Sequence, residues 1–233
     1  NYDDCVRLAA KEAAETERGV IVQDTAWDGY EEIPAWIMQG YGTMAMEAGE
    51  QLKEYGCERP THIFVQAGVG SLAGAVVGYF SNLYADNPPT FVVVEAEAAA
   101  CLYKGAAAGD GAIRIVDGDM ETIMAGLACG EPNTISWDIL KNHVKVFIAA
   151  PDWVAATGMR MLGAPIKGDA PVTSGESGAA PFGALAAMMT MDEYKDLRSD
   201  IGLDENSKVL LFSTEGDTDP DRYKNIVWKG LDK

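Results

Sequence analysis

Apolar residues along this chain gather in short runs separated by longer, helically spaced stretches. His62-Ile63-Phe64-Val65 and Phe91-Val92-Val93-Val94-Glu95 are rich in β-branched and aromatic residues, as buried strands are. Residues 112–116, 144–148 and 208–212 read as further strands, and Val20-Ile21-Val22-Gln23 as a short one near the start. Between them lie helical patterns. Asp3 and Asp4 are placed to cap an alanine-rich helix that ends by Gly19. Pro34 is suited to the first turn of a long helix that stops at Gly56. Leu72, Val76 and Phe80 are spaced to share one helical face. Strands alternating with helices predict an α/β fold, a mostly parallel sheet covered on both faces. Such sheets bind ligands beyond the carboxyl ends of their strands.

Composition narrows the function classes. The 233 residues are 48% hydrophobic, enough for a sizeable core. Acidic residues outnumber basic ones 36 to 18, for a formal charge of −18, and the basic residues are not clustered. Nucleic acid is therefore a poor partner. No apolar run approaches the roughly 18 residues of a membrane span. The four cysteines, Cys5, Cys57, Cys101 and Cys129, are too scattered for a local zinc pattern. A reducing, cytosolic setting fits best, with Cys101 and Cys129 as buried or free thiols and a bridge between them as the less favoured alternative. His62 and His143, distant in sequence, read as structural. The chain opens at Asn1 without methionine and already in a helical stretch, which leads us to expect a further N-terminal piece.

Three loops are candidates for chemistry. Gln66-Ala67-Gly68-Val69-Gly70-Ser71-Leu72-Ala73-Gly74 follows a strand and opens a helix. Glycines there let main-chain N–H groups turn toward an anion, the helix N-terminus adds partial positive charge, and the Ser71 hydroxyl offers one more donor. Ser174-Gly175-Glu176-Ser177-Gly178-Ala179 leads into an apolar helix, and Phe212-Ser213-Thr214-Glu215-Gly216-Asp217-Thr218-Asp219-Pro220 follows a strand. A dinucleotide site is the rival, since Gly68, Gly70 and Gly74 approach the Rossmann spacing and Glu95 stands where a ribose-binding acid would. The spacing here, however, is GxGxxxG.

The order of AGVG, SGESGA and STEGDTDP resembles pyridoxal-phosphate enzymes of fold type II, the threonine-dehydratase-like group. The fuller match is to the diaminopropionate ammonia-lyases among them. It is supported by the stretches VQDTAW (22–27), IPAWIMQGY (33–41) and MAGLACGEP (124–132) and runs over nearly the whole chain. The resemblance implies that Gly68, Val69, Gly70, Ser71 and Leu72 hold the cofactor phosphate and that Ser213 or Thr214 meets the pyridine nitrogen. It implies that Asp24 assists proton abstraction and that Glu176 faces the cofactor ring. It also implies a homodimer acting on a small amino acid, 2,3-diaminopropionate, to give pyruvate and ammonia. Residues 1–23 would be the end of a smaller domain, and 24–233 the C-terminal part of the large cofactor-binding domain.

One departure stands out. Nothing here resembles the family's Schiff-base lysine or the Ser-, Gly- and Asn-rich loop that follows it, and the lysines present read as solvated surface residues. The expected picture is a lyase fragment that is inactive alone and prone to instability or self-association without its N-terminal segment. A dinucleotide-binding oxidoreductase domain and a non-catalytic module on the same fold remain the alternatives.

Overall fold

The computed structural model describes residues 2–232. Its sheet consists of β1 (His62–Gln66), β2 (Thr90–Ala96), β3 (Val144–Ala150) and β4 (Val209–Leu211), in the spatial order β3-β2-β1-β4 with every pairing parallel. The helices are α1 (Tyr2–Glu15), α2 (Glu32–Glu54), α3 (Ser71–Leu83), α4 (Cys101–Ala108), α5 (Thr134–His143), α6 (Asp152–Gly163), α7 (Glu176–Thr190), α8 (Lys195–Ile201) and α9 (Pro220–Val227). Among the described residues no helix is long and apolar enough to cross a membrane.

The strands carry apolar residues on both faces because both faces are covered. Ile63, Val65, Phe91 and Val93 pack with Val76 and Phe80 of α3, Leu102 of α4 and Leu140 of α5. Phe64, Val92 and Val94 point the other way, into Ala155 and Met159 of α6, Ala180 and Ala184 of α7 and Ile226 of α9. Side chains alternate along a strand, so a run without polar interruption fits only a sheet sandwiched between helices. The layers α6 and α7 cross at Gly158 and Gly183, where an added Cβ would strike a main-chain carbonyl of the facing helix.

The chain lays down β1, β2 and β3 in one direction and then returns to place β4 on the far side of β1. The order therefore reverses between β1 and β4. The crevice at their carboxyl ends is the natural ligand position of such a sheet.

Two expected strands are absent. Residues 20–23 are irregular, with Val20 71% and Val22 69% exposed. They are tied down instead by the Tyr30 hydroxyl, which donates to the Ile21 carbonyl at 2.9 Å. Residues 112–116 are also irregular, and Ile113 and Ile115 face solvent. Val116 N–H reaches the Gly130 carbonyl at 3.0 Å and Ala112 N–H the Asp110 side chain at 3.0 Å, but neither bond belongs to a strand ladder. Local propensity makes a strand only where a neighbouring strand can complete the ladder. The expected capping by Asp3 is likewise replaced by a long-range bond. Asp3 is buried, and its Oδ2 accepts the Gly130 N–H at 3.0 Å.

Glu95, at the carboxyl end of β2, is 1% exposed, and its two oxygens accept the N–H groups of Leu102 at 2.8 Å and Tyr103 at 2.6 Å. The carboxylate thus satisfies the open first turn of α4, which no residue of its own caps. Burial, opposed by these donors, raises its pKa from 4.5 to about 8. Between those values the folded protein holds a proton that the unfolded chain has released, so stability falls as pH rises across that window. Glu95→Gln is expected to flatten this slope, and urea unfolding of both proteins at pH 5 and pH 8 measures it.

Candidate active site

Beyond the carboxyl ends of β1 and β4 lies a cleft of about 410 Å³. Its floor is the turn from β1 into α3: Gly68, Val69, Gly70, Ser71 and Leu72 all line it, as do Gln66 and Ala67. Asp24, Tyr2 and Tyr41 stand on one side, residues 125–127 and Cys129 on another, and Ser177, Thr214 and Glu215 close it.

Gly70 is the N-cap of α3, with φ +100°, a left-handed conformation, and no side chain to accept the first-turn N–H groups. Those donors are left for an anion. A Cβ on Gly70 would also come within 2.9 Å of the Ser136 hydroxyl and 3.3 Å of Leu102. Glycine is required there twice, by backbone and by space.

The turn is held from beneath. Ser136 Oγ donates to the Gly70 carbonyl at 2.5 Å, and Asn133 N–H donates to the Val69 carbonyl at 2.8 Å. Asn133 itself is fully buried and works in three directions. Its Oδ1 accepts Ser136 N–H at 2.9 Å, capping α5, while its Nδ2 reaches the Asp24 carbonyl at 2.6 Å and Ser71 Oγ at 2.9 Å. The Ser71 hydroxyl donates to the same Asp24 carbonyl at 2.7 Å. A hydroxyl has one proton, so this one is committed. Contrary to the sequence expectation, Ser71 offers an anion its main-chain N–H and not its side chain.

Asp24 is thereby fixed through its carbonyl while its carboxylate lines the cleft. Two phenols feel that charge. Tyr2 is pushed up to about 12 by loss of solvent and then by Asp24, and Tyr41 is raised by the same two causes in the same order. Both stay protonated near neutral pH. Burial, then Asp3 and Asp24, also pushes the Cys129 thiol up to about 12, so it stays neutral. Cys101 and Cys129 are unbridged, the former's Sγ donating to the latter's carbonyl at 3.6 Å.

The other two loops are fastened to each other. Ser213 Oγ and Ser174 Oγ share a hydrogen bond of 2.7 Å, and Gly175 N–H donates to the Glu215 carbonyl at 2.9 Å. Glu215 Oε2 accepts the N–H groups of Ser177 at 2.6 Å and Gly178 at 3.2 Å. That carboxylate occupies the N-terminus of α7, so SGESGA is not a second anion cradle. Of the paired hydroxyl candidates, Thr214 lines the cleft and Ser213 is turned to Ser174. Glu176 does not line the cleft; it pairs with Arg222 at 3.4 Å, and its pKa is raised chiefly by burial. The Glu95 carboxylate, spent on α4, is not among the lining groups either, which removes the acid a dinucleotide site would use.

Sequence reading singled out neither Asn133 nor Tyr2, and it took in Gln66 and Tyr41 only as members of longer stretches. Asn133 alone had a local signal, since Asn followed by Thr-Ile-Ser after Glu-Pro is a helix-start pattern. Every described lysine is exposed, and none lines the cleft.

The family model for pyridoxal-phosphate dependent enzymes matches residues 1–211. The chain is similar to the diaminopropionate ammonia-lyase of Salmonella typhimurium, with 55% identity over 231 residues, covering 99% of this chain and 57% of that protein. It is similar to the enzyme of the same name from Escherichia coli K12, with 49% identity over 230 residues and the same two coverages. The crystal structure of the selenomethionine-incorporated holo form of the Escherichia coli enzyme superposes with a TM-score of 0.91 at 46% identity, covering all of this chain and 57% of that one. The chain thus spans little more than half the length of the relatives it matches.

Asn133→Ala removes a helix cap and frees two buried partners. It is expected to cost about 2 to 4 kcal/mol. Urea unfolding measures the loss, and amide hydrogen exchange at Ser71 should quicken with it.

Proposed function

The chain belongs to the pyridoxal-phosphate dependent enzymes, and on that premise we propose that it is part of a carbon–nitrogen lyase that releases ammonia and pyruvate from 2,3-diaminopropionate. The observation that carries this reading is the cleft in which an uncapped, glycine-opened helix N-terminus, the Asp24 carboxylate and the Thr214 hydroxyl face one another.

The residues suit the cofactor. A phosphate needs several converging N–H donors, which the turn from Gly68 to Leu72 supplies. Two further polar atoms beside the cleft lack partners, Gln66 Oε1 and Ser177 Oγ. The cleft's volume lies within the usual range for small ligands, about 300 to 1,000 Å³. Gly68, Val69, Gly70, Ser71 and Leu72 would hold the phosphate, and Thr214 would meet the ring nitrogen.

When bound, pyridoxal phosphate serves as the electron sink that lets an α-proton leave an amino acid. The protein's part is positioning and proton handling. Asp24 is the oxygen base at the cleft wall, and its loop is pinned by Ser71 and Asn133 so that its reach does not drift. Tyr2 and Tyr41, held neutral, leave the local negative charge to Asp24. The short bridges from Ser174 to Ser213 and from Glu215 to α7 keep Thr214 in register with the floor. Neither a cleft lysine nor a substrate-carboxylate loop is found among the described residues. We assign both to the part of the enzyme that the longer relatives have and this chain does not cover. The same reading takes residues 1–23 as the end of a smaller domain, and a cytosolic homodimer as the working form. The unbridged thiols support the reducing location.

Full-length enzyme carrying this chain should release pyruvate and ammonia from 2,3-diaminopropionate in a coupled assay. Asp24→Asn keeps the main-chain bonds and is expected to lower kcat by about 10²- to 10⁴-fold with the cofactor's visible band retained. Cofactor uptake without ammonia from any diamino or β-substituted amino acid would mark a non-catalytic module instead.

A further inference from the structure

Among the described residues of α1, Asp3 alone is buried. A carboxyl group withdrawn from water at the start of an otherwise exposed helix is costly unless it has a donor to hold. Asp3 Oδ2 accepts the N–H of Gly130, 127 positions away, at 3.0 Å, and Arg7, one turn further along α1, pairs with Glu131. The helix is thus hooked at two successive residues onto the loop that forms one side of the cleft. Cleft residues stand next to both ends of the first hook: Tyr2 precedes Asp3, and Cys129 precedes Gly130.

Gly130 has no room to give way. Its carbonyl accepts the Val116 N–H at 3.0 Å, and an added Cβ would lie 2.0 Å from the Val116 carbonyl oxygen. The chain beyond it has little slack either. Pro132 has a fixed φ and steers Glu131, the residue before it, toward extended backbone. This stiff link ends at Asn133, whose N–H holds the Val69 carbonyl at 2.8 Å and whose Nδ2 holds the Asp24 carbonyl at 2.6 Å. A shift of Gly130 therefore reaches the phosphate turn and the candidate base within three residues.

We propose that Asp3 is a positioning residue of the cleft: its bond to Gly130 clasps α1 to the rim and, through Glu131 and Pro132, keeps Asn133 where it holds the phosphate turn. This deepens the cofactor reading given above and rests on it. Asp3 does not itself line the cleft, and it acts only through Gly130. The clasp requires an acceptor and not a charge, since Gly130 offers a neutral N–H.

The test uses full-length enzyme. Asp3→Asn keeps an acceptor oxygen, Asp3→Ala removes it, and Asp3→Leu removes it while also keeping water from the space. Either of the last two suffices if the other folds poorly. Amide hydrogen exchange is followed in cofactor-free protein, and the dissociation constant of pyridoxal phosphate is taken from an absorbance titration. In Asp3→Ala and Asp3→Leu, exchange at both Gly130 and Asn133 should quicken by about tenfold, as loss of a single hydrogen bond allows, with amides inside β1 and β2 unchanged. The dissociation constant should rise by about the same factor, and Asp3→Asn should stay within about twofold of the native enzyme in both readouts. If Gly130 quickens alone, with Asn133 and cofactor affinity as in the native enzyme, the clasp holds α1 and nothing further, and the role given to Asp3 is wrong while the cofactor site stands. It is equally wrong if Asp3→Asn is as damaging as Asp3→Ala, or if exchange rises to the same extent throughout β1 and β2. Native full-length enzyme that takes up no cofactor would overturn the cofactor reading itself, and the role of Asp3 with it.

Discussion

A single left-handed residue organises this molecule's chemistry. Gly70 at φ +100° turns the chain from β1 into α3 so that the helix presents its first N–H groups to the cleft. That conformation is kept in place by groups distant in sequence. Ser136 holds its carbonyl, Asn133 holds the carbonyl before it, and Leu102 packs where a side chain would otherwise stand. The same Asn133 also holds Ser71 and the Asp24 carbonyl, so the anion cradle and the candidate base share one buried amide. Loosening either end displaces the other.

The topology explains why three separated loops meet. The strand order reverses between β1 and β4, and no neighbouring crossover covers the crevice left at their carboxyl ends. The β1 loop brings glycines, and the β4 loop brings hydroxyls and acids. The loop before α7 is drawn in by Glu215, which caps that helix and ties its start to the β4 loop. Charge placement follows the same economy. Glu95 and Glu215 both look, as sequence, like ligand-binding acids at strand ends, yet each closes a helix N-terminus that lacks a cap of its own. The N-terminus of α3 has no such carboxylate, and its first N–H groups are left to the cleft.

The long apolar runs were the most legible part of the fold. Residues 63–65 and 91–94 are β-branched or aromatic throughout, and each became a strand buried on both faces. Residues 20–23 and 112–116 show comparable propensity but no ladder, because pairing depends on a second strand that propensity does not see. In the site, the glycine turn was legible because glycine is costly to keep without need. The choice between Ser213 and Thr214 was not, since adjacent residues differ only in which way the chain turns them. Ser174, some forty positions earlier, claims the one and leaves Thr214 to the cleft.

By itself the sequence determined the parallel α/β plan, the glycine turn into α3 and the residue types available for an anion and a proton, because these rest on local periodicity and on backbone chemistry. Tertiary structure alone decided which polar groups are free to act. Hydrogen bonds between distant residues consumed the Ser71 hydroxyl, the Glu95 and Glu215 carboxylates and the side chain of Asp3. They left the α3 N–H groups, the Asp24 carboxylate and the Thr214 hydroxyl at the cleft. A donor or acceptor has only so many bonds to give, and which partner takes them is settled by packing across the whole chain.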